Sequence, residues 1–385
     1  MKEAYSKLLS TIVANLGIDH TVTGDLLQLY FSRDTALDML SIIFSKYDIE
    51  LLEYRCVWLV SRLASRLHYS GIPKEQFPRI KGVVKKFAVE NGRCLAVLPS
   101  VLRAFNAANV AVLLLSGTAM KVLYEPAETR YYSEIVFLVH AEDVNKAGLI
   151  LEKCGFQLQD TYWGRSAFQK NDVRVVIHSI YLRSNVLTGD SADIWRQSLE
   201  SSWQGERVFV PNPEMMFLIL LIQGLENCCL RIHDSQANDF VNNFLDIKSF
   251  LTNNTLRWAQ FIGLAEKSRF TLHACLMLDV LNQLYPGTVP EYVLESLQFT
   301  GEDIDNVQKL VSYYVSKNKM ADSRNRGSRA GYYYNGILSL WNLNCYYGNR
   351  SSLFSNIIDF PQLIAVWNNH KGIKGLMSKL RWCRI

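Results

Sequence analysis

Two short apolar runs decide the fold: VAVLLLSGT at residues 110–118, which ends in a glycine turn, and EIVFLV at residues 134–139. Each run is bounded by polar residues, which is the pattern of a strand buried on both faces. A third run, at residues 173–178, follows the turn-like Lys170-Asn171-Asp172. Ser116-Gly117-Thr118 reads as a turn into a helix, and Gly155 is suited to end a helix at residues 141–154. Residues 91–210 are therefore predicted to form a compact α/β unit.

Helical periodicity surrounds this unit on both sides. Apolar positions recur at helical spacing in residues 1–90 and again in residues 95–107. Pro213-Glu214 suits a helix start, and further helices are predicted up to residue 284. We predict an α+β, mostly helical protein with an N-terminal helical region (1–90), the α/β core (91–210), a helical region (211–300) and a basic, aromatic helical region (301–385).

Composition restricts the class of protein. The 385 residues are 49% hydrophobic and 20% charged, a globular balance with room for two or three domains. The densest apolar run, residues 215–222, is too short to span a membrane. The eight cysteines form no C-x-x-C pair, which favours reduced thiols and a cytoplasmic location. The net charge of +5 is mild, so a nucleic-acid partner is not expected.

The landmarks of the α/β unit follow one another in a characteristic order. They are Leu115-Ser116-Gly117, Tyr124, the stretch from Arg130 to Val139, Cys154-Gly155-Phe156, Val176-Ile177-His178 and Pro213-Glu214. This order resembles the nucleotidyltransferase superfamily of DNA polymerase β-like enzymes. Within it, the chain is similar to bacterial nucleotidyltransferase-family proteins that accompany genes for peptide or polysaccharide biosynthesis. The resemblance implies a small palm-like sheet in which three carboxylates hold divalent metal and a glycine turn offers N–H groups to phosphates.

The chain departs from this pattern at the chemical positions. The implied first carboxylate is Glu134, but the second is Val136 and the third is Val176. The lysine implied before the glycine is Ser116. Magnesium prefers oxygen ligands, which valine does not offer. We therefore predict no metal site and no cofactor, with Mg²⁺ expected only if the chain is active.

The resemblance also assigns the candidate site residues. For an active enzyme it implies catalysis by Glu134, Arg130 and His178, and ligand binding by Ser116, Gly117, Thr118 and Tyr124. We expect Gly117, Arg130 and His178 to line one cleft. Each also has a structural interpretation: a capped turn, an ion pair between Arg130 and Glu134, and a hydrogen-bonded histidine at a strand end.

A basic patch near the C-terminus is a second candidate site. It comprises Lys317, Lys319, Arg324, Arg326 and Arg329, and it precedes Tyr332-Tyr333-Tyr334. Basic residues beside aromatic rings bind phosphates and stack on bases. The alternative is a solvated loop followed by a packed helix.

Three functions stay open from the sequence. The first is a pseudoenzyme with this fold, acting as a binding or accessory subunit in a peptide natural product or polysaccharide pathway, with a protein or precursor peptide as partner. The second is an active transferase that uses a nucleotide or nucleotide sugar to modify a peptide or small molecule. The third is a purely structural subunit. Magnesium-dependent nucleotide binding distinguishes the second from the others.

Overall fold

The computed structural model describes residues 59–60, 63–64, 72–124, 134–162, 164–179, 191–229, 237–268 and 270–297. The helical pieces at 59–60 and 63–64 are buried in the hydrophobic core. Arg130, the basic patch and the predicted region 301–385 lie outside the described residues.

Helices flank a central group of strands. The first part comprises α1 (Phe77–Ala107), β1 (Val112–Leu115), α2 (Ser116–Tyr124), β2 (Ile135–Val139) and α3 (Val144–Lys153). The second part comprises β3 (Gln157–Tyr162), β4 (Arg165–Lys170), β5 (Val173–His178), α4 (Ala192–Arg196), β6 (Ser198–Trp203) and β7 (Glu206–Pro211). The third part comprises α5 (Pro213–Cys229), α6 (Ala237–Asn253), α7 (Trp258–Lys267), α8 (Thr271–Leu284) and α9 (Glu291–Ser296). The predicted α+β class, with a small sheet among helices, is confirmed.

The strands form one mixed sheet in the order β3-β4-β5-β2-β1-β7-β6. β2 runs parallel to β5 and β1 parallel to β7, while the other neighbours are antiparallel. Every residue of β1 and β2 is buried, as their unbroken apolar sequences predict. The prediction that residues 135–139 form a buried central strand is confirmed.

The two faces of the sheet are covered differently. Directly paired residues point to the same face, and successive residues along a strand point to opposite faces. On one face, Phe137 contacts Phe105 of α1 with ring centroids 5.5 Å apart. On the same face, a Cβ added at Gly148 of α3 would lie 3.4 Å from the Phe168 ring. α1 and α3 therefore cover this face, and the candidate site lies on the other.

The helix α1 is longer than the predicted helix at residues 95–107. It begins at Phe77 and has a proline in its first turn. Backbone N–H groups in the first turn have no acceptor within the helix, so a proline there costs no hydrogen bond. Its buried residues recur at helical spacing from Ile80 to Phe105, so one continuous stripe packs inward. The predicted boundary between residues 90 and 91 therefore falls within a single helix.

Two hairpins were not predicted, β3–β4 and β6–β7. Both outer strands are polar, with sequences QLQDTY and SLESSW, because they form the edges of the sheet. Such edge strands lack the apolar runs that mark the central strands. Gly205 is the one sequence signal for the β6–β7 turn. In the structure Gln204 and Gly205 have φ of 50° and 85°, as a two-residue type I′ hairpin turn requires.

The helical region after the sheet is organised around α5. Residues Met215 to Ile222 of this helix are all buried, and α6, α7 and α8 contact it. A Cβ added at Gly224 would lie 3.0 Å from Met277 of α8 and 3.2 Å from Ile247 of α6, so the glycine permits this close approach. None of the helices in the described part of the chain is long and apolar enough to cross a membrane.

Candidate nucleotidyltransferase-type site

Val136 and Val176 lie side by side in the middle of the sheet. The parallel register of β2 and β5 pairs them directly, and Leu115 of β1 pairs with Val136 from the other side. Neighbouring strands are about 4.8 Å apart. The two valines are 3% and 0% exposed. The two positions at which the resemblance implies the second and third carboxylates are therefore adjacent, and both hold valine side chains.

The helix α2 begins beside this row. It starts at Ser116, directly after β1, so Ser116-Gly117-Thr118 forms the first helical turn and not a separate turn as predicted. Gly117 and Thr118 are buried, and the first turn carries no acidic residue. A helix N-terminus of this kind favours an anion. Tyr124 ends the helix, about 12 Å further along its axis at 1.5 Å per residue.

Glu134, the surviving carboxylate, is next to two arginines. Its Oε2 lies 3.6 Å from Nε of Arg174 and 4.0 Å from Nη2 of Arg165. Arg174 stands two residues before Val176 on β5, and Arg165 pairs with His178 from β4. By the alternation of side chains along a strand, both arginines project on the face of the sheet that carries the two valines.

Asp160 on the edge strand β3 joins the two arginines. Its Oδ1 accepts a hydrogen bond from Nη1 of Arg165 at 2.8 Å, and its Oδ2 accepts one from Nη2 of Arg174 at 3.5 Å. Glu134, Asp160, Arg165 and Arg174 thus form one cluster, the arginine–carboxylate quartet. Its formal charges sum to zero, in contrast to the concentrated negative charge that would attract a divalent cation.

The quartet is accessible from solvent. Its side chains are 27% exposed for Arg165, 31% for Glu134, 38% for Arg174 and 49% for Asp160. Ion pairs with this exposure contribute about 0–1 kcal/mol each to stability. The fold is therefore expected to tolerate single substitutions in the quartet.

His178 lies away from Glu134. It ends β5 and pairs with Leu138, four residues beyond Glu134 along the chain, which corresponds to about 13 Å of strand. The structure thus brings Ser116, Gly117 and Thr118 to the same end of the central strands as Glu134, and it places His178 at the other end. That Gly117, Arg130 and His178 line one cleft stays a prediction, since Arg130 lies outside the described residues.

The Pro213-Glu214 landmark has a structural role. Glu214 is 3% exposed, and its carboxylate accepts hydrogen bonds from Nε, Nη2 and the backbone N–H of Arg257 at 2.9, 3.0 and 3.2 Å. Burial alone would raise the pKa of Glu214, but the hydrogen bonds and charge of Arg257 outweigh burial and hold the pKa below its usual value. Because Arg257 directly precedes α7, this contact joins α7 to the start of α5.

Three residues of the site were missed from the sequence: Asp160, Arg165 and Arg174. Arg174 had a signal, because the period of two places it on the face of Val176. Asp160 and Arg165 had none, because the hairpin that carries them was not predicted. Among the described residues, no group of three or more His, Cys, Asp or Glu side chains is arranged to hold a metal ion.

Comparison with known families agrees with this fold. The family described as "uncharacterised nucleotidyltransferase" matches residues 57–286, which include the whole sheet and the helices up to α8. No curated protein and no solved structure gives a significant match.

Proposed function

The chain belongs to this nucleotidyltransferase family, and on that premise we propose that it has lost metal-dependent nucleotidyl transfer. It then acts as a binding or accessory subunit in the biosynthesis of a peptide natural product or a polysaccharide. One observation carries the proposal. Val136 and Val176 lie side by side at the positions where the reaction needs carboxylates, and Glu134 is paired with two arginines.

The first reason concerns ligands. Nucleotidyl transfer uses divalent metals to bridge phosphate oxygens and to activate the attacking hydroxyl group. Mg²⁺ demands oxygen ligands in near-octahedral geometry. Neither Val136 nor Val176 offers an oxygen, and both side chains are buried against their neighbours. One carboxylate rarely holds the two metals that the reaction needs.

The second reason concerns charge. A divalent cation bound at Glu134 would lie close to the guanidinium groups of Arg165 and Arg174. Two unit charges 4 Å apart interact by about 1 kcal/mol in bulk water and about 4 kcal/mol near a protein surface. The repulsion between a doubly charged ion and the two arginines offsets its attraction to Glu134 and Asp160, so the quartet offers the metal no net electrostatic attraction.

The proposed partner is a protein or precursor peptide in the cytoplasm. The eight cysteines form no C-x-x-C pair, which supports a reducing compartment. An active transferase with a nucleotide or nucleotide-sugar donor is the second candidate. The observation in its favour is the N-terminus of α2 beside the central row of the sheet.

Calorimetric titration with each nucleoside triphosphate, with and without Mg²⁺, tests the proposal. We expect no increase in affinity on adding Mg²⁺, because the site lacks ligands for it. Glu134→Ala should leave this Mg²⁺ response unchanged, and Glu295→Ala, at an exposed position on α9, is the matched control. Tight binding that requires Mg²⁺ and disappears only in Glu134→Ala would establish the active transferase instead.

A further inference from the structure

The two arginines on the site face can bind a ligand of opposite sign to a metal ion. Where the resemblance implies three carboxylates, this face carries two arginines and two carboxylates, only one of which stands at a metal position. We propose that Arg165 and Arg174 form a metal-independent binding site for a diphosphate group, in which two guanidinium groups replace the divalent cations. This inference rests on the proposed loss of metal-dependent transfer.

The two guanidinium groups have hydrogen-bonding capacity left for a ligand. An arginine side chain has five N–H donors. Within the part of the chain that the structure describes, each of these arginines donates one hydrogen bond, in both cases to Asp160. Their side chains are 27% and 38% exposed, so an anion in solvent has access to the remaining donors. Arginine forks match the geometry of phosphate oxygens and bind them in pairs.

The carboxylates of the quartet have different roles in this site. Asp160 accepts a hydrogen bond of 2.8 Å from Arg165 and a longer one of 3.5 Å from Arg174 through separate oxygens, so it holds Arg165 firmly and Arg174 weakly. Glu134 approaches the arginines only to 3.6 and 4.0 Å, beyond the length of a strong charge-assisted hydrogen bond. A diphosphate with several charged oxygens makes shorter contacts than Glu134 does, and it therefore displaces Glu134 from the arginines while Asp160 keeps its 2.8 Å hydrogen bond to Arg165.

Inorganic pyrophosphate in the presence of a chelator is the direct probe. We expect it to bind the full-length chain without metal, and Arg174→Met to weaken binding about tenfold or more, as for the loss of a charge-assisted hydrogen bond. Glu134→Gln should tighten binding, because it removes one negative charge near the ligand. For a dianion some 6 Å from that charge in water, the expected gain in affinity is about tenfold. A metal site predicts the reverse, because there Glu134→Gln removes a ligand.

Matched controls use an arginine–carboxylate pair between the helix α1 and the sheet. Arg103 and Glu206 are 2.8 Å apart at the contact of α1 with β7. Arg103→Met and Glu206→Gln make the same changes in net charge away from the quartet, and we expect both to bind pyrophosphate like the wild type. Circular dichroism of each variant confirms folding, and Glu134→Gln gives a gain of affinity that misfolding does not imitate.

The source of the diphosphate follows from a second set of titrations without metal. Equal affinity for pyrophosphate, a nucleoside diphosphate and a nucleotide sugar assigns recognition to the phosphates alone. Tighter binding of the nucleotides assigns the ligand to that class. No pyrophosphate binding by the wild type or by Glu134→Gln would overturn the arginine site and leave the proposed loss of metal chemistry standing. Mg²⁺-dependent binding lost in Glu134→Gln would overturn both.

Discussion

Glu214 is the residue whose environment makes the clearest prediction for stability. Its carboxylate is buried and bound by three N–H groups of Arg257. Replacing it with glutamine removes the charge from these hydrogen bonds, and we expect Glu214→Gln to lower the free energy of unfolding by about 1–3 kcal/mol at neutral pH. Urea denaturation of Glu214→Gln against the exposed control Glu295→Gln measures this difference.

The same residue predicts a pH dependence. Arg257 holds the pKa of Glu214 below its usual value in the folded chain. Its contribution to stability is therefore complete above the unfolded-state pKa of about 4.3. It is lost as the pH falls through the lower folded-state pKa. We expect the stability difference between wild type and Glu214→Gln to shrink on acidification below about pH 4. A difference that grows in acid contradicts this assignment.

Single residues show how far the sequence specified the site. Val136 and Val176 stand where the resemblance implies metal-binding carboxylates, and their direct pairing follows from the register of two strands that the apolar runs predicted. Arg174 was predictable by the same period of two. Arg165 and Asp160 were not predictable. Their contacts depend on the order of the strands β3, β4 and β5, which the sequence alone did not indicate.

At the scale of elements, the turn between α3 and β3 depends on Gly155. This glycine has φ of 85°, and a Cβ there would also meet the Lys170 side chain at 3.4 Å. A left-handed conformation costs an L-residue about 1–2 kcal/mol. We expect Gly155→Ala to destabilise the fold by about this amount, measured as a lower midpoint in thermal unfolding.

Gly82 provides the opposite control. It lies within the helix α1, and a Cβ there would meet nothing within 4 Å. Alanine is favoured over glycine in a helix interior by about 0.5–1 kcal/mol. Gly82→Ala should therefore raise the unfolding midpoint. If both substitutions shift stability in the same direction, the left-handed conformation of Gly155 does not determine the effect.

Elements buried on both faces were predictable, and elements at the sheet edges were not. The central strands have continuous apolar sequences, whereas β3 and β6 are polar and gain their pairing from neighbours. Propensity within one segment cannot report such pairing. The α1 helix was underestimated: it was predicted over residues 95–107, whereas its buried stripe already begins at Ile80.

At the scale of the whole molecule, the fold agrees with the nucleotidyltransferase resemblance, whereas the residues of the candidate site differ from it. The sheet, the helix after β1 and the buried helix α5 match what the nucleotidyltransferase resemblance implies, and the family match covers residues 57–286. The positions where the resemblance implies metal ligands carry two valines and a carboxylate paired with arginines. A scaffold of this kind supports many activities, so function must be read from the site itself.

Titration of the full-length chain with Mn²⁺, followed by electron paramagnetic resonance of the free ion, tests the central claim most directly. Mn²⁺ takes the same oxygen ligands as Mg²⁺ and reports its own binding by loss of the free-ion signal. We predict that the free-ion signal persists when the protein and the metal are equimolar. When a nucleoside triphosphate is also present, we predict that the signal falls only as far as it does with the nucleotide alone. Stoichiometric loss of the signal in the wild type, with its return in Glu134→Gln, would contradict the account.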